Sequence, residues 1–206
     1  MKDKHINQII INNQLLPNNI TNASTLKLFM EIDKTQFVEN KEISLSTIDK
    51  NFFFNDQRFM LKSTTIAKLI DLIIDNKYLN VLNVGSGTGY SSSLLSLISN
   101  FVISLENNKV LHEKEKQIIK SIDLPNIKSV FGSLDLGHKE QMPYDLIFVN
   151  GCLKESPIKL LDQLDEKGIL VCIEMNVHNI KKIVKYKKKN GTNYRKEFFM
   201  VNAPLL

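Results

Sequence analysis

Val81–Tyr90 reads Val-Leu-Asn-Val-Gly-Ser-Gly-Thr-Gly-Tyr, an apolar run that leads directly into three glycines at alternate positions. Glycine tolerates a positive φ and lets the backbone approach a ligand closely, and a strand that turns through glycines into a helix presents unpaired N–H groups. The pattern therefore predicts a nucleotide-type binding loop between a β-strand and an α-helix. A turn that binds nothing is the alternative, since such turns recur in folds with different ligands or with none.

The position of the third glycine distinguishes two kinds of cofactor. In the dinucleotide fingerprint the third glycine follows the second by three residues, and Tyr90 occupies that position here. Gly89 comes one residue earlier, which favours S-adenosylmethionine over NAD. We therefore expect five consecutive residues to hold the methionine part of that cofactor: Gly85, Ser86, Gly87, Thr88 and Gly89.

A second apolar run, Phe101–Glu106, ends in a carboxylate about twenty residues past the glycine loop. An acidic residue at the end of the second strand can accept hydrogen bonds from both hydroxyls of a ribose, whereas it would repel a phosphorylated ribose. A solvated strand end is the alternative for Glu106. Its distance from the loop favours the binding role, so we predict that Glu106 holds the ribose.

Length and composition are those of one globular domain. The chain has 206 residues, of which 43% are hydrophobic and 24% are charged. The pI near 9.0 arises at the C-terminal end, where Lys181–Lys196 contains eight basic residues. Arginine is rare, since Arg58 and Arg195 are the two arginines among 27 basic residues. Abundant lysine of this kind indicates codon bias, so a lysine cluster alone does not predict a binding site.

Several classes of protein are disfavoured. Cys152 and Cys172 show neither a Cys-x-x-Cys spacing nor histidine partners, which predicts a reduced protein without a metal site. The N-terminal residues lack the apolar core of a signal peptide, and no apolar run approaches the ~20 residues that a membrane helix needs. We therefore expect a cytoplasmic protein that does not enter a membrane.

The N-terminal part is predicted to be helical. Residues 5–38 have helical spacing in two pieces separated by Pro17-Asn18-Asn19, and Asn22 is suited to cap the second piece. Three aromatic residues, Phe52-Phe53-Phe54, are predicted to cover the sheet, with a pocket wall as the alternative. Ser63 is a natural N-cap for the amphipathic helix that follows.

After that helix the pattern alternates between strand and helix, which predicts a doubly wound, mostly parallel α/β sheet. Asn190-Gly191 suits a tight type I′ turn, so an antiparallel hairpin of residues 181–189 and 193–201 should close a seven-stranded sheet. We divide the chain into an N-terminal lead-in (1–62) and a cofactor-binding domain (63–206) that form one compact unit. The other predicted elements are strands near 81–85, 101–105, 127–131, 144–149 and 168–174, and helices near 89–99, 108–122 and 157–165.

Together these features resemble the protein-L-isoaspartate O-methyltransferase family, over nearly the whole chain. The N-terminal Ile20-Thr21-Asn22 followed by Phe37-Val38 resembles the helical lead-in of that family. The resemblance implies a class I methyltransferase fold and methylation of isoaspartyl carboxylates in damaged proteins, a repair activity that uses S-adenosylmethionine. The part similar to the family's cofactor-binding half comprises Val81–Tyr90, Leu105-Glu106, Pro143–Val149 and Leu160–Gly168.

Three positions depart from the family pattern. Leu61 stands where the resemblance implies a serine that handles the substrate carboxyl group. Asn83 replaces an acidic residue at the end of the first strand, and Ser133, followed by Leu134, replaces an aspartate near the adenine amino group. Each loss of a charge-assisted hydrogen bond is worth ~1.5 to 3 kcal/mol, part of which a neutral partner recovers. The resemblance still implies that Asn83, Ser133 and Leu134 contact the cofactor. It places the chain in a divergent branch of the family.

An isoaspartyl carboxylate has a reference pKa near ~4, so it is ionised at pH 7 and needs no general base. Asn150, at the end of the fourth strand, is a candidate to face the cofactor or the acceptor, with a turn role at Asn150-Gly151 as the alternative. Ser63 is a second catalytic candidate if the register shifts by two residues, with helix capping as its alternative. His138 is predicted to be an exposed loop residue.

The leading function is therefore methylation of isoaspartyl residues in a protein or peptide. Two rivals remain open: a methyltransferase for another protein, small-molecule or RNA acceptor, and a methyltransferase-fold binding module without turnover. The basic hairpin is predicted to be a solvated sheet edge, because lysine on an edge strand blocks edge-to-edge pairing. Nucleic-acid binding is thus not expected, and the sequence leaves the oligomeric state open.

Overall fold

The computed structural model describes residues 4–206, without the side chains of Asn40, Lys41 and Leu45. Its N-terminal part is helical, as predicted. Asn22 caps the second α-helix, since its side-chain oxygen accepts hydrogen bonds from the N–H groups of Ser24 and Thr25. The elements of this part are α1 (His5–Ile10), a π-helical turn (Ile11–Leu15), α2 (Ala23–Glu31) and 3-10 turns at Leu16–Asn18, Lys34–Phe37 and Asn40–Thr47.

A short two-stranded hairpin and the main sheet follow. The hairpin consists of β1 (Phe52–Phe53) and β2 (Phe59–Met60), which pair antiparallel. It leads into α3 (Ser63–Asp71). The elements of the main domain are β3 (Tyr78–Val84), α4 (Tyr90–Ser96), β4 (Ser99–Glu106), α5 (Lys109–Ser121), β5 (Ile127–Phe131), a 3-10 turn (Lys139–Gln141), β6 (Tyr144–Leu153), α6 (Ile158–Leu161), β7 (Leu164–Met175), β8 (Lys181–Lys189) and β9 (Thr192–Met200).

The main sheet has seven strands in the order β5-β4-β3-β6-β7-β8-β9. The first five strands in this order are parallel, and β8 and β9 are antiparallel to their neighbours. The seven-stranded, mostly parallel sheet is thus confirmed. The strand order reverses at β3, which lies between β4 and β6, and open α/β sheets bind ligands outside the carboxyl ends of the strands at such a switch point. The glycine loop after β3 lies at this point.

Both faces of the sheet are buried, as expected for parallel strands. Val81 of β3 belongs to a core cluster that also contains apolar residues of the N-terminal helices and α3. Leu82 and Val84 of the same strand belong to a second cluster with Leu160 and Leu161 of α6. The N-terminal lead-in therefore packs into the same core as the sheet, while its division from the rest at residue 62 stays a prediction.

Three local predictions are wrong. Asn150 and Gly151 do not form a turn, because β6 continues through them to Leu153 with an irregular register against β7. The helix predicted for residues 157–165 is the single turn α6, since the chain enters β7 at Leu164. Tertiary pairing overrides local turn and helix propensity in both places.

The predicted capping role of Ser63 is the third wrong prediction. Lys62 occupies the N-cap position of α3, and its side chain makes no capping hydrogen bond. Instead, the Asp49 carboxylate accepts hydrogen bonds from both the N–H and the hydroxyl of Thr64. The Ser63 hydroxyl accepts a hydrogen bond from Lys34, whose Nζ lies 2.9 Å away. The helix is therefore capped by Asp49, which lies 15 residues before Thr64 in the sequence.

The hairpin prediction is confirmed. Asn190 and Gly191 both have positive φ angles, 52° and 72°, which a type I′ turn requires at its two central residues. Among the three aromatic residues at 52–54, Phe52 is buried, Phe53 is exposed and Phe54 is half-buried. Phe52 lies in the core and Phe54 packs over the glycine loop, whereas Phe53 lines a cavity, as the alternative predicted.

Lys34 is a buried charge that should make stability depend on pH. It is 2% exposed, and burial lowers the pKa of Lys34 to about 8, although the charge of Asp49 acts in the opposite direction. Between pH 8 and the ordinary lysine pKa, the unfolded chain binds a proton that the folded chain has released. The free energy of unfolding therefore rises with pH in this window.

We expect the unfolding free energy to gain about 2 kcal/mol from this lysine between pH 7.5 and 9.5. Lys34→Met should lack the gain, which urea titrations of both proteins at the two pH values would measure. Lys27→Met, at an exposed position of α2, is the matched control and should keep the wild-type dependence. A Lys34→Met protein with the wild-type pH dependence would contradict the assignment.

Candidate functional site

The predicted glycine loop forms as expected between β3 and α4. Gly85, Gly87 and Gly89 have φ angles of 76°, 63° and 96°, so all three adopt the left-handed conformation that favours glycine. The N–H groups of Gly85 and Ser86 donate to the carbonyl of Leu105 on β4. These bonds hold the start of the loop beside the end of the neighbouring strand.

The hydroxyl groups of the loop face the protein rather than the crevice. Thr88 donates to the carbonyl of Phe37 at 2.7 Å, which ties the loop to the N-terminal part of the chain. The hydroxyl of Ser86 donates to the carboxylate of Glu115 on α5 at 3.1 Å. The loop residues predicted to hold a cofactor would therefore present mainly backbone groups to it.

Glu106 lies where the sequence predicts, at the end of β4 beside the loop. Its side chain is fully buried, and the N–H of Gly87 donates to its Oε2 at 2.7 Å. The N–H groups of Asn107 and Asn108 donate to its Oε1 at 3.0 and 2.9 Å. The carboxylate therefore binds the loop and the residues after β4 together.

Arg58 is a site residue that sequence reasoning missed. Its Nε and Nη2 each donate to one oxygen of Glu106 at 2.8 Å, which makes a bidentate ion pair. The two side chains are 4% and 0% exposed. With the three backbone donors, five N–H groups point at a carboxylate that offers about four lone-pair sites. One feature of the composition could have pointed to Arg58, because it is one of two arginines among 27 basic residues.

Side chains of this protein also fill the space above the glycines. A Cβ atom on Gly85 would lie 2.7 Å from Cδ1 of Leu206 and 3.0 Å from Nη2 of Arg58. A Cβ atom on Gly87 would lie 2.9 Å from Cε2 of Phe54. In this arrangement the site does not fit S-adenosylmethionine, because Glu106 has no free acceptor and the crevice over the loop is filled.

Two cavities lie on either side of this filled region. The first, of about 670 Å³, is lined by Ser133 and by residues at the carboxyl ends of β3, β4 and β6. The second, of about 640 Å³, is lined by Arg58 and by residues of the β1–β2 hairpin. Leu134, Leu205 and Leu206 line both cavities. The predicted adenine-side residues Ser133 and Leu134 therefore lie at a cavity wall, and their contact with a cofactor stays a prediction.

Asn83 and Asn150 lie together in the protein interior. The Asn150 amide donates to Oδ1 of Asn83 at 2.6 Å and to the carbonyl of Val84 at 3.1 Å. The Asn83 amide donates in turn to the hydroxyls of Ser91 and Ser92 on α4. Both residues support the base of the loop, and their predicted role toward a cofactor or acceptor stays a prediction.

Leu61 and Ser63 are buried, and His138 is half-buried. Leu61 is buried in the core, so its side chain supplies neither a hydroxyl nor a cavity wall. Ser63 is also fully buried and bonded to Lys34, and neither cavity described above includes it. His138 is part-buried, and its backbone N–H donates to Gln163. The predicted exposure of His138 is therefore wrong.

A buried acid beneath the loop, Glu115 on α5, was not predicted. Its carboxylate accepts hydrogen bonds from four serines on the loop, α4, β4 and β5, namely Ser86, Ser92, Ser104 and Ser129. A Cβ atom on Gly89 would lie 2.9 Å from its Oε1, so this acid requires glycine there. The sequence signal was weak, since the four serines lie in four different elements.

Glu115 should also make stability depend on pH. Burial raises the pKa of Glu115 to about 7; the hydrogen bonds from Ser104, Ser129 and Ser86 oppose the rise, and the charge of Glu106 adds to it. Between pH 4.5 and 7 the folded protein keeps a proton that the unfolded chain has lost. The stabilisation is therefore full below pH 4.5 and is lost as the pH rises through 7.

We expect the Glu115→Gln variant not to lose stability as the pH rises through 7. Between pH 5 and pH 8 the unfolding free energy of the wild type should fall by roughly 2 to 3 kcal/mol relative to the variant. Chemical denaturation at both pH values measures the difference. Glu113→Gln, at an exposed position of the same helix, is the control. Parallel pH profiles for Glu115→Gln and wild type would show that Glu115 is ionised throughout.

No metal site or membrane span is found in the described part of the chain. Residues 4–206 contain no group of three His, Cys, Asp or Glu side chains that could hold a metal ion. The same residues form no helix of the length and apolarity needed to cross a bilayer. Cys152 and Cys172 are both buried and free.

Solved structures show the same fold. A protein-L-isoaspartate O-methyltransferase superposes with a TM-score of 0.82 at 21% identity, covering 98% of this chain and 65% of that one. A beta-aspartate methyltransferase from Plasmodium falciparum, in complex with S-adenosyl-L-homocysteine, has a TM-score of 0.82 at 20% identity and covers 98% and 97%. The chain therefore has a class I methyltransferase fold.

Sequence comparison gives the family. A protein-L-isoaspartate O-methyltransferase of Methanococcus maripaludis strain C6 is 26% identical over 201 residues, 95% of this chain and 94% of that protein. One from Helicobacter pylori strain G27 is 34% identical over 131 residues, so the match spans 63% of each protein. The family model described as "Protein-L-isoaspartate(D-aspartate) O-methyltransferase (PCMT)" matches residues 4–202. The chain therefore belongs to the protein-L-isoaspartate(D-aspartate) O-methyltransferase family.

Proposed function

We propose that this protein transfers a methyl group from S-adenosylmethionine to the side-chain carboxylate of isoaspartyl residues in proteins. The observation that carries the proposal is the family match over residues 4–202. The left-handed glycine loop beside the buried Glu106 is consistent with it. A binding module without turnover is the less favoured reading, since the loop and the acid of the cofactor half are both present.

In this reaction the main task of the protein is to orient the cofactor and the acceptor. When bound, S-adenosylmethionine supplies an activated methyl group. The acceptor carboxylate has a reference pKa near ~4 and is already ionised at neutral pH, so no base is needed. Correct orientation of two reactants can lower a barrier by roughly 7 to 11 kcal/mol. The interior positions of Ser63 and Asn150 are compatible with a reaction that needs no acid or base.

The basic hairpin supports a protein acceptor over RNA. Lys182 and Arg195 form ion pairs with Glu197, and Arg195 also pairs with Glu174. Lys185 donates to a backbone carbonyl after α3. Several basic side chains of the hairpin therefore make contacts within the protein.

We also propose a cytoplasmic location, because both cysteines are unpaired and buried.

The test is methyl transfer from radiolabelled S-adenosylmethionine to a peptide that contains one isoaspartyl residue. The matched control is the same peptide with an ordinary aspartyl residue. We expect label to enter the isoaspartyl peptide alone and to be released by mild base, as a carboxyl methyl ester is. Equal labelling of both peptides, or of neither while the cofactor binds, would assign the protein a different acceptor.

A further inference from the structure

The crevice above the glycine loop is closed by two segments that are far apart in the sequence. Arg58 and Phe54 come from the β1–β2 hairpin, and Leu206 comes from the other end of the described chain. Leu206 also covers β6, since a Cβ atom on Gly151 would lie 2.8 Å from its Cβ. Each of these contacts lies over the loop that is predicted to bind the cofactor.

We propose that Arg58 and Leu206 form a latch that holds the cofactor site closed, and that ligand binding requires both side chains to withdraw. The inference rests on the proposed function only in its choice of ligand. Arg58 blocks the site through charge, because it takes both oxygens of Glu106. Leu206 blocks it through volume, because it fills the space over Gly85.

Phe52, Phe59 and Met60 anchor the strands of the hairpin in the core, so the part that can move without disrupting the main sheet is its tip, which carries Arg58. The two strands of the hairpin have two residues each and pair only with one another.

The turn of the hairpin is held locally, since the Asn55 side chain accepts from the N–H of Arg58 and the Phe54 N–H donates to the Arg58 carbonyl. Residues 55–57 at the tip are exposed. The tie between the Arg58 side chain and the sheet is the ion pair with Glu106.

The segment that carries Leu206 is held by a few hydrogen bonds and by the packing of Ala203 and Leu206 against the core. The N–H of Leu206 donates to the carbonyl of Cys152 at 2.9 Å, and the N–H of Cys152 donates to the carbonyl of Pro204 at 2.9 Å. Lys181 adds a hydrogen bond to the carbonyl of Ala203. These hydrogen bonds join the segment to the end of β6 and to the start of β8. Withdrawal of this segment would leave the seven-stranded pairing intact.

Withdrawal of the latch would join the two cavities described above. Leu205 and Leu206 line both of them, with about 670 Å³ on one side and 640 Å³ on the other. Removing this partition together with Arg58 joins the cavities into one cleft along the carboxyl ends of β3, β4 and β6. A closed majority state lowers the apparent affinity in proportion to the fraction of molecules that are open.

The experiment measures the affinity for S-adenosylhomocysteine by calorimetry in the wild type and in two variants, Arg58→Ala and Leu206→Ala. We expect each variant to bind about tenfold more tightly or better, since each removes one part of the latch. Arg195→Ala is the matched control, because it removes an arginine that pairs with glutamates on the distant hairpin. Its affinity should equal that of the wild type.

Circular dichroism checks that each variant folds. If Arg58→Ala fails to fold, Leu206→Ala still decides the matter, because its change removes volume and leaves the ion pair in place. Affinities in the folded variants that equal the wild type, or are weaker, would overturn the latch. So would the absence of binding in every protein at millimolar ligand.

Methyl transfer to the isoaspartyl peptide, measured in the same proteins, separates the two proposals. Tighter binding without transfer in any protein supports the latch and counts against the proposed acceptor. Transfer by the wild type together with unchanged affinities in Arg58→Ala and Leu206→Ala counts against the latch alone.

Discussion

The carboxylate of Glu106 is the interaction on which this site depends. It gathers N–H donors from the glycine loop, from the residues after β4 and from Arg58, and all of them lie within 3.0 Å. A buried charge is tolerated only when it is paired and hydrogen-bonded, so these donors are a condition of its burial. The same carboxylate is predicted to hold a ribose. On that prediction, the ion pair that stabilises the closed arrangement competes with the ligand for Glu106.

A second acid supports the loop from beneath. Glu115 lies under Gly89 and Ser86, in a shell of serine hydroxyls. Its environment also suits Asn83, the residue that the resemblance implies to be acidic in the family. Asn83 donates to Ser92, which in turn bonds to Glu115. An acid at position 83 would place a further negative charge near a carboxylate whose pKa is already raised by burial. The neutral amide can donate where a carboxylate could not.

Two of the three departures that the resemblance implies have different structural surroundings. Asn83 is accommodated by a buried polar network that includes Asn150. Leu61 is accommodated by the core, where it is 1% exposed and a hydroxyl would lack water. Neither departure disturbs the sheet or the loop. The family fold persists because its core and its glycine turn do not depend on those side chains.

The sequence by itself determined the features that are local: the alternation of strands and helices, the positive φ at the glycines, the Asn22 cap and the Asn190-Gly191 turn. Each depends on residues within a few positions, for which conformational preference is the deciding energy. Only the tertiary structure decided that Arg58 pairs with Glu106 across 48 residues, that Leu206 covers Gly85, and that Asn150 and Gly151 continue a strand. These outcomes follow from burial, because a buried charge or strand must find a partner wherever the packed chain supplies one, and local propensity carries no information about that partner.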